Sequence, residues 1–401
     1  MLVEIHGADF KNKGAQLMLE TVVEKLSTAI PNCTCCVVAG KTRPPSQAAR
    51  LGVQFIWPSN VLYARTRKFW PLFHATKFLS SFVPTANLEP YGLVKRSQIS
   101  ALIDISGFAF SDIWGPTYIK NFSTVANYYH HRNCPVLMLP QMFGPFENAE
   151  NKKLFKTMTS HCTKIYARDS LSFDIAKDCA SENTTILQAP DITLFQNETE
   201  HHQSATVNSG LANSDVIFVP NIHVLDRGST DWDENSYLRT FSEVGQQVLK
   251  AGKGLQIVVH ETFGKDAELA EKIRAELQLD ESSIFTSEDP SELKAKISSS
   301  CFLFGSRFHS LAAALSTATP VVSIGWAHKY GQLLSDFGVE QFDIKSKLDS
   351  GRIPQLIQQL LQSENHTEIV KLLKSKKQTL VDQNQSMWDD VIKTLKAKAS
   401  S

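Results

Sequence analysis

Short β-branched apolar runs alternate with amphipathic helical stretches along this chain, and that alternation limits the fold more than any other feature. A strand covered on both faces reads as a continuous apolar run, and parallel strands need a long crossover, usually a helix, between them. Residues 2–6, 34–39, 101–105, 136–140, 164–167 and 185–187 read as such strands. Residues 14–30 form the first intervening helix, with Ala15, Leu19, Val22, Val23 and Leu26 on one face, and helices follow at 116–131, 149–161 and 170–179. The expected class is α/β with doubly wound parallel sheets.

Periodicity disappears in the polar stretch NETEHHQSATVNSGLANS and then resumes, with strands at 216–220, 255–260, 283–286, 301–305 and 321–325 and helices at 232–250, 265–277, 291–299 and 306–316. We therefore place a boundary in the polar stretch, giving two Rossmann-like domains, 1–205 and 206–401, the second ending in a charged helical tail at 354–398. A chain of 401 residues is long enough for two cores.

Forty-one basic and forty-one acidic residues cancel, so an anionic partner must be held by a local cluster of cations, and nucleic acid is not expected as a partner. The opening MLVEIHGAD has no basic and apolar leader pattern, no apolar run approaches bilayer length, and the seven cysteines lack CxxC spacing. These features lead us to expect a cytoplasmic protein with reduced thiols and no metal site. Residues 55–96 break the pattern: Phe55, Trp57, Tyr63, Phe69, Trp70, Phe73, Phe78 and Phe82 are interleaved with Arg65, Arg67, Lys68, Lys77, Lys95 and Arg96. Two readings stand side by side, an insertion whose aromatics fill a satellite core, and a basic aromatic face for an anionic acceptor or a peripheral membrane contact.

The sharpest local signal is CFLFGSRFHSLAAAL at 301–315, where an apolar strand ends at Gly305-Ser306 and a small-residue helix begins. Ser306 is expected as the N-cap, Arg307 as a planar double donor for phosphate or carboxylate, and His309 as a proton carrier. The plain alternatives are an ion-paired arginine and a hydrogen-bonded core histidine. Asn12 and Gly14 lie in the first strand-to-helix loop. Gln141, Arg168, Asp191, Asn221, His260 and Glu261 fall at the carboxyl ends of other strands, where open α/β sheets bind ligands.

Taken in order, the G-x-x-x-x-N-x-G loop, Gly-Pro-Phe after a central strand, A-R-D-S-L-S, P-D, G-S-R-F-H-S-x-x-A-A-L, P-V-V-S-I and a downstream Lys-Tyr resemble the polysaccharide pyruvyl transferase family. The resemblance implies a GT-B-like arrangement with an interdomain cleft, the acceptor on the first domain and the donor on the second. It further implies transfer of the enolpyruvyl group of phosphoenolpyruvate onto a sugar of a surface polysaccharide or its lipid-linked precursor, as a pyruvate ketal, without a cofactor. By position, Arg307 and His309 match the family's arginine–histidine pair, Arg168 its other motif arginine, and Lys329 a lysine after the following strand. The loop KNKGAQ departs from the family's N-x-G-D-E-A, with Gln16 replacing a carboxylate. Two other functions are kept open: a nucleotide-sugar glycosyltransferase, with a diphosphate at the Ser306 helix and His260 or His309 as base, and a non-catalytic sugar-binding protein.

Overall fold

The computed structural model describes residues 1–10, 12–40, 43, 45–57, 83–195, 215–226, 231–259, 264–287, 289–326 and 328–399. They divide into two compact units, one made of Met1–Thr193 with Gln383–Ser401, the other of Leu194–Asp382. His260, Glu261 and residues 58–82 lie outside the described residues, and with them most of the basic and aromatic side chains singled out between 55 and 96.

In the first unit the strands are β1 (Leu2–His6), β2 (Thr34–Val38), β3 (Gln54–Trp57), β4 (Leu93–Lys95), β5 (Ala101–Asp104), β6 (Val136–Gln141), β7 (Lys164–Ala167) and β8 (Thr185–Gln188). They pair in parallel in the order β4-β3-β2-β1-β5-β6-β7-β8. The helices are α1 (Lys13–Ala29), α2 (Pro45–Arg50), α3 (Pro116–His130), α4 (Ala149–Thr159) and α5 (Ser170–Cys179). The side chain of Asn12 caps α1 by accepting from the amides of Gly14 and Ala15, and Leu19, Val22 and Leu26 bury that helix against the sheet core.

β3 and β4 correct the reading of residues 55–96 as an interruption of the pattern. Both ends of that stretch are sheet strands, with Phe55, Ile56 and Val94 buried. These strands have only four and three residues, too short for periodicity to stand out beside the aromatic and basic residues between them. Arg96 is committed inside the fold: Nε and Nη2 donate to Glu4, 1% exposed, at 3.0 and 2.9 Å, and Tyr129 Oη donates to the same carboxylate at 2.5 Å.

The second unit repeats the scheme with β9 (Val216–Val219), β10 (Leu255–Val259), β11 (Ile284–Thr286), β12 (Leu303–Gly305), β13 (Val321–Ile324) and β14 (Asp343–Ile344), in the order β11-β10-β9-β12-β13-β14. Its helices are α6 (His223–Asp226), α7 (Glu234–Lys250), α8 (Lys265–Glu276), α9 (Pro290–Ser298), α10 (Phe308–Ser316), α11 (His328–Asp336) and α12 (Ile353–Leu361), followed by α13 (Ser363–Ala399). Ile369, Leu373 and Leu380 of α13 join the core of this unit, whereas Met387, Trp388, Val391 and Leu395 join that of the first. The segment 383–401 thus belongs with the first unit rather than with 206–401, because its apolar face is buried there.

The strand order reverses once in each sheet, between β1 and β5 in the first unit and between β9 and β12 in the second. Such switch points leave a crevice outside the carboxyl ends of the strands, the usual ligand position in open α/β sheets. Among the described residues no helix is long and apolar enough to cross a membrane, and no group of His, Cys, Asp and Glu is placed to hold a metal. All seven cysteines are unpaired.

Candidate active site

The turn after β12 sits at the switch point of the second unit. Gly305 is required there, since a Cβ on it would lie 2.5 Å from the carbonyl oxygen of Val219 on the adjacent strand. Ser306 is fully buried and, contrary to expectation, does not cap the helix that follows. Its hydroxyl lies 2.5 Å from Tyr237 Oη, and its carbonyl accepts from Tyr330 Oη at 2.9 Å and from Asn221 Nδ2 at 2.7 Å. Tyr237 Oη also accepts from the Asn221 amide at 3.0 Å, and burial pushes both phenols well above their ordinary pKa. Two tyrosines and an asparagine therefore hold the turn rigid while remaining neutral.

The N-cap position belongs to Arg307, with no side chain capping α10. Its guanidinium donates through Nε to Asp266 Oδ2 at 2.6 Å and is paired with the same oxygen through Nη2. Asp266 is buried in the first turn of α8, where Oδ1 accepts from the Ile222 amide at 2.9 Å. The acid locks the arginine at the start of a helix whose N–H groups and dipole favour an anion. Phe308 packs edge-on against His309, which is partly exposed in the first turn of α10. Lys329 Nζ stands 5.1 Å from the ring centres of Phe308 and Trp326 and 5.5 Å from that of Tyr330, an aromatic cradle for a cation. Gly305, Ser306, Arg307, His309, Asn221 and Lys329 thus gather around one turn.

The other expected residues lie in the first unit. Arg168 donates through Nη1 to Asp191 Oδ2 at 2.7 Å, and Asp191 Oδ1 accepts from the Thr193 amide and hydroxyl at 2.9 and 2.8 Å. Gln141 Nε2 donates to Asp104 Oδ2 at 2.8 Å. Asn12 and Gly14 are occupied with each other in the cap of α1. Sequence reasoning passed over Asp266, Tyr237, His6 and Asp104. Tyr237 and Asp266 meet Ser306 and Arg307 across 69 and 41 residues of chain, and no local pattern marks such partners. His6 and Asp104 did carry a signal, a polar residue ending an apolar strand.

Solved structures that resemble this chain include a complex with UDP and glucose, a glycosyltransferase and an epimerase bound to UDP-GlcNAc. The HepE protein of Anabaena, in complex with UDP and glucose, is 11% identical, with 97% of this chain and 98% of that one covered at a TM-score of 0.57. A glycosyltransferase from Rickettsia africae is 10% identical, with 99% and 98% covered at 0.55. The UDP-GlcNAc 2-epimerase of Neisseria meningitidis, bound to UDP-GlcNAc, is 10% identical, with 93% and 99% covered at 0.51. At such identities the likeness establishes the fold, two Rossmann-like domains of the GT-B type. A family model described as polysaccharide pyruvyl transferase matches residues 12–328.

Proposed function

The chain belongs to the polysaccharide pyruvyl transferase family, and from that membership we propose that it transfers the enolpyruvyl group of phosphoenolpyruvate to a sugar of a surface polysaccharide or its lipid-linked precursor. The donor carries a phosphate and a carboxylate on one carbon, so its recognition calls for fixed cations in a chain without net charge. The observation that carries the reading is Arg307, held by buried Asp266 at the start of α10. Lys329 adds a cation over three rings, and Arg168, oriented by Asp191, is a further anion contact. Ser306, Gly305 and Asn221 act by shaping the turn. Gln141 and Asp191 orient partners in the first unit, the proposed acceptor side.

Ketal formation adds a proton to the methylene carbon, joins two sugar oxygens to the adjacent carbon and releases phosphate. Of the two hydroxyl protons, one balances the new methyl group and the other leaves with phosphate. His309, in the first turn of a helix favouring the phosphate, is the proposed proton donor. Catalysis at the cytoplasmic face of a membrane, on a lipid-linked acceptor, accords with this chemistry. The GT-B fold also accommodates a nucleotide-sugar glycosyltransferase, with a diphosphate at α10.

A thermal-shift screen separates the two, because a ligand that binds only the native state raises apparent stability. Phosphoenolpyruvate should raise the melting temperature, and phosphate should be released when methyl hexopyranosides are added. Stabilisation by nucleotide sugars alone, with nucleotide release, would reassign the protein to glycosyl transfer.

A further inference from the structure

We propose that His6, oriented by Asp104, is a catalytic base that takes the proton of the attacking sugar hydroxyl; this rests on the pyruvyl transfer proposed above. His6 ends β1 and Asp104 ends β5, and the two are register partners across the switch point of the first sheet. Ligands of open α/β sheets bind outside such a point. The dyad therefore occupies in the first unit the position that the Arg307 turn occupies in the second.

Its hydrogen bonds set the chemistry. Asp104 has no exposed surface, and its Oδ1 accepts from His6 Nδ1 and from Ser106 Oγ, each at 2.7 Å. Oδ2 accepts from Gln141 Nε2 at 2.8 Å and from the Ser106 amide at 3.3 Å. A carboxylate accepts and does not donate, so Nδ1 carries the hydrogen and Nε2 the lone pair. The same carboxylate stabilises the imidazolium once Nε2 has taken a proton. The His6 side chain is 28% exposed while the acid is sealed, so the ring bridges a buried anchor and the outside. Phe122 backs the ring, with centroids 5.0 Å apart. Gly7 has φ +84°, and a Cβ on it would lie 2.6 Å from the Ser106 amide nitrogen, so a side chain there would force the two loops apart.

In the step assigned to this dyad, which follows addition of the first hydroxyl oxygen to the donor carbon and of a proton to its methylene, the O–H bond of the second hydroxyl breaks and its electron pair forms the second C–O bond to that carbon. The proton passes to His6 Nε2. Phosphate departs with the electron pair of its own C–O bond, and the proton on His6 is afterwards released to that phosphate through solvent. No oxidant or reductant takes part.

The test measures phosphate release from phosphoenolpyruvate with the methyl hexopyranoside that wild type uses fastest, alongside donor-induced thermal shift. His6→Gln should lower kcat about 10²- to 10⁴-fold, the range for loss of a general base, and keep the donor-induced shift. Activity of His6→Ala should recover in part with added imidazole. Asp104→Asn, whose amide can donate to Nδ1 and impose the wrong tautomer, should lower kcat about 10²-fold or more. Turnover of His6→Gln within threefold of wild type overturns the base assignment while leaving pyruvyl transfer intact. Loss of activity together with the donor-induced shift, without imidazole rescue, makes His6 a structural histidine and equally overturns it. A wild type that releases no phosphate with any of these glycosides overturns the parent reading, and the dyad with it.

Discussion

The two sheets reach their switch points with the same device turned to opposite ends. In the first unit a fully buried carboxylate, Asp104, is spent on an imidazole and leaves a basic nitrogen. In the second a buried carboxylate, Asp266, is spent on a guanidinium and leaves a fixed cation. The surroundings differ accordingly. Asp104 is saturated by a serine, a glutamine and a backbone amide, whereas the turn bearing Arg307 is clamped by the neutral phenols Tyr237 and Tyr330 and by Asn221. A buried acid thus has no fixed meaning at a sheet end, since the group it orients, an imidazole in one sheet and a guanidinium in the other, sets the chemistry on offer.

Arg307 gives the hardest test of this contrast. Arg307→Ala should lower kcat/KM about 10³- to 10⁵-fold, the range for an arginine that stabilises transition-state charge on phosphate oxygens, here those of a departing phosphate. Arg307→Lys should restore little, because an ammonium lacks the planar fork that engages Asp266 and an anion together. A lysine variant with near wild-type turnover would show that the second site needs only a point charge. Next in size, His309→Gln should cut kcat about 10²- to 10⁴-fold while preserving the thermal shift caused by phosphoenolpyruvate. Turnover within about tenfold of wild type, in a normally folded variant, would make His309 a binding or packing residue and leave the second unit without its assigned proton donor.

Much of this was legible in the sequence, and the reasons are local. The strand before Gly305 and the small-residue helix after it are contiguous, so GSRFH marked the turn without tertiary information. The long parallel strands announced themselves as apolar runs. β14, two residues long, and the short β3 and β4 did not, being defined by their neighbours in the sheet. The anchors stayed hidden for another reason: Asp266 sits in a charged helical segment, KDAELAEK, where one buried aspartate looks like its solvated neighbours. Ser306 was misread as a cap because the buried hydroxyl of Tyr237, 69 residues away, outcompetes the backbone for it.

The phenol clamp predicts a smaller effect, on stability more than on chemistry. Tyr237→Phe keeps the ring and removes the only part that differs between the residues, leaving the buried Asn221 amide without its acceptor at 3.0 Å. A stranded buried donor costs about 1–3 kcal/mol, measurable as a lower urea midpoint with unchanged m. Activity should fall by less than about tenfold, the loss from roughly 1.4 kcal/mol, because Tyr330 and Asn221 still hold the Ser306 carbonyl. A larger loss of turnover without loss of stability would mean that the phenol belongs to the reacting centre.

Asp343 sharpens the comparison from the other side, because it is a buried acid at a sheet end with one carboxylate oxygen unsatisfied among the described residues. It begins β14 beside Ser323 of β13, is 4% exposed, and its Oδ1 has no hydrogen-bond partner among the described residues. Gly325 leaves it room, since a Cβ there would come within 2.9 Å of that oxygen. Burial raises its pKa from 3.8 to about 6, against the pull of the Ser323 hydroxyl, Lys345 and Arg352. The folded state therefore holds a proton that the unfolded chain has already released, and ∂ΔG/∂pH is negative between these values. The contribution is full below pH 3.8 and is lost as pH rises through about 6. Between pH 5 and 8 this amounts to about 1–2 kcal/mol of stability. Asp343→Asn, which cannot ionise, should remove that part of the slope and be the more stable protein, relative to wild type, at pH 8 than at pH 5. Urea midpoints at the two pH values read this directly. Equal slopes in the two proteins would mean that Asp343 is solvated or ion-paired in solution, and that its burial does not hold the proton.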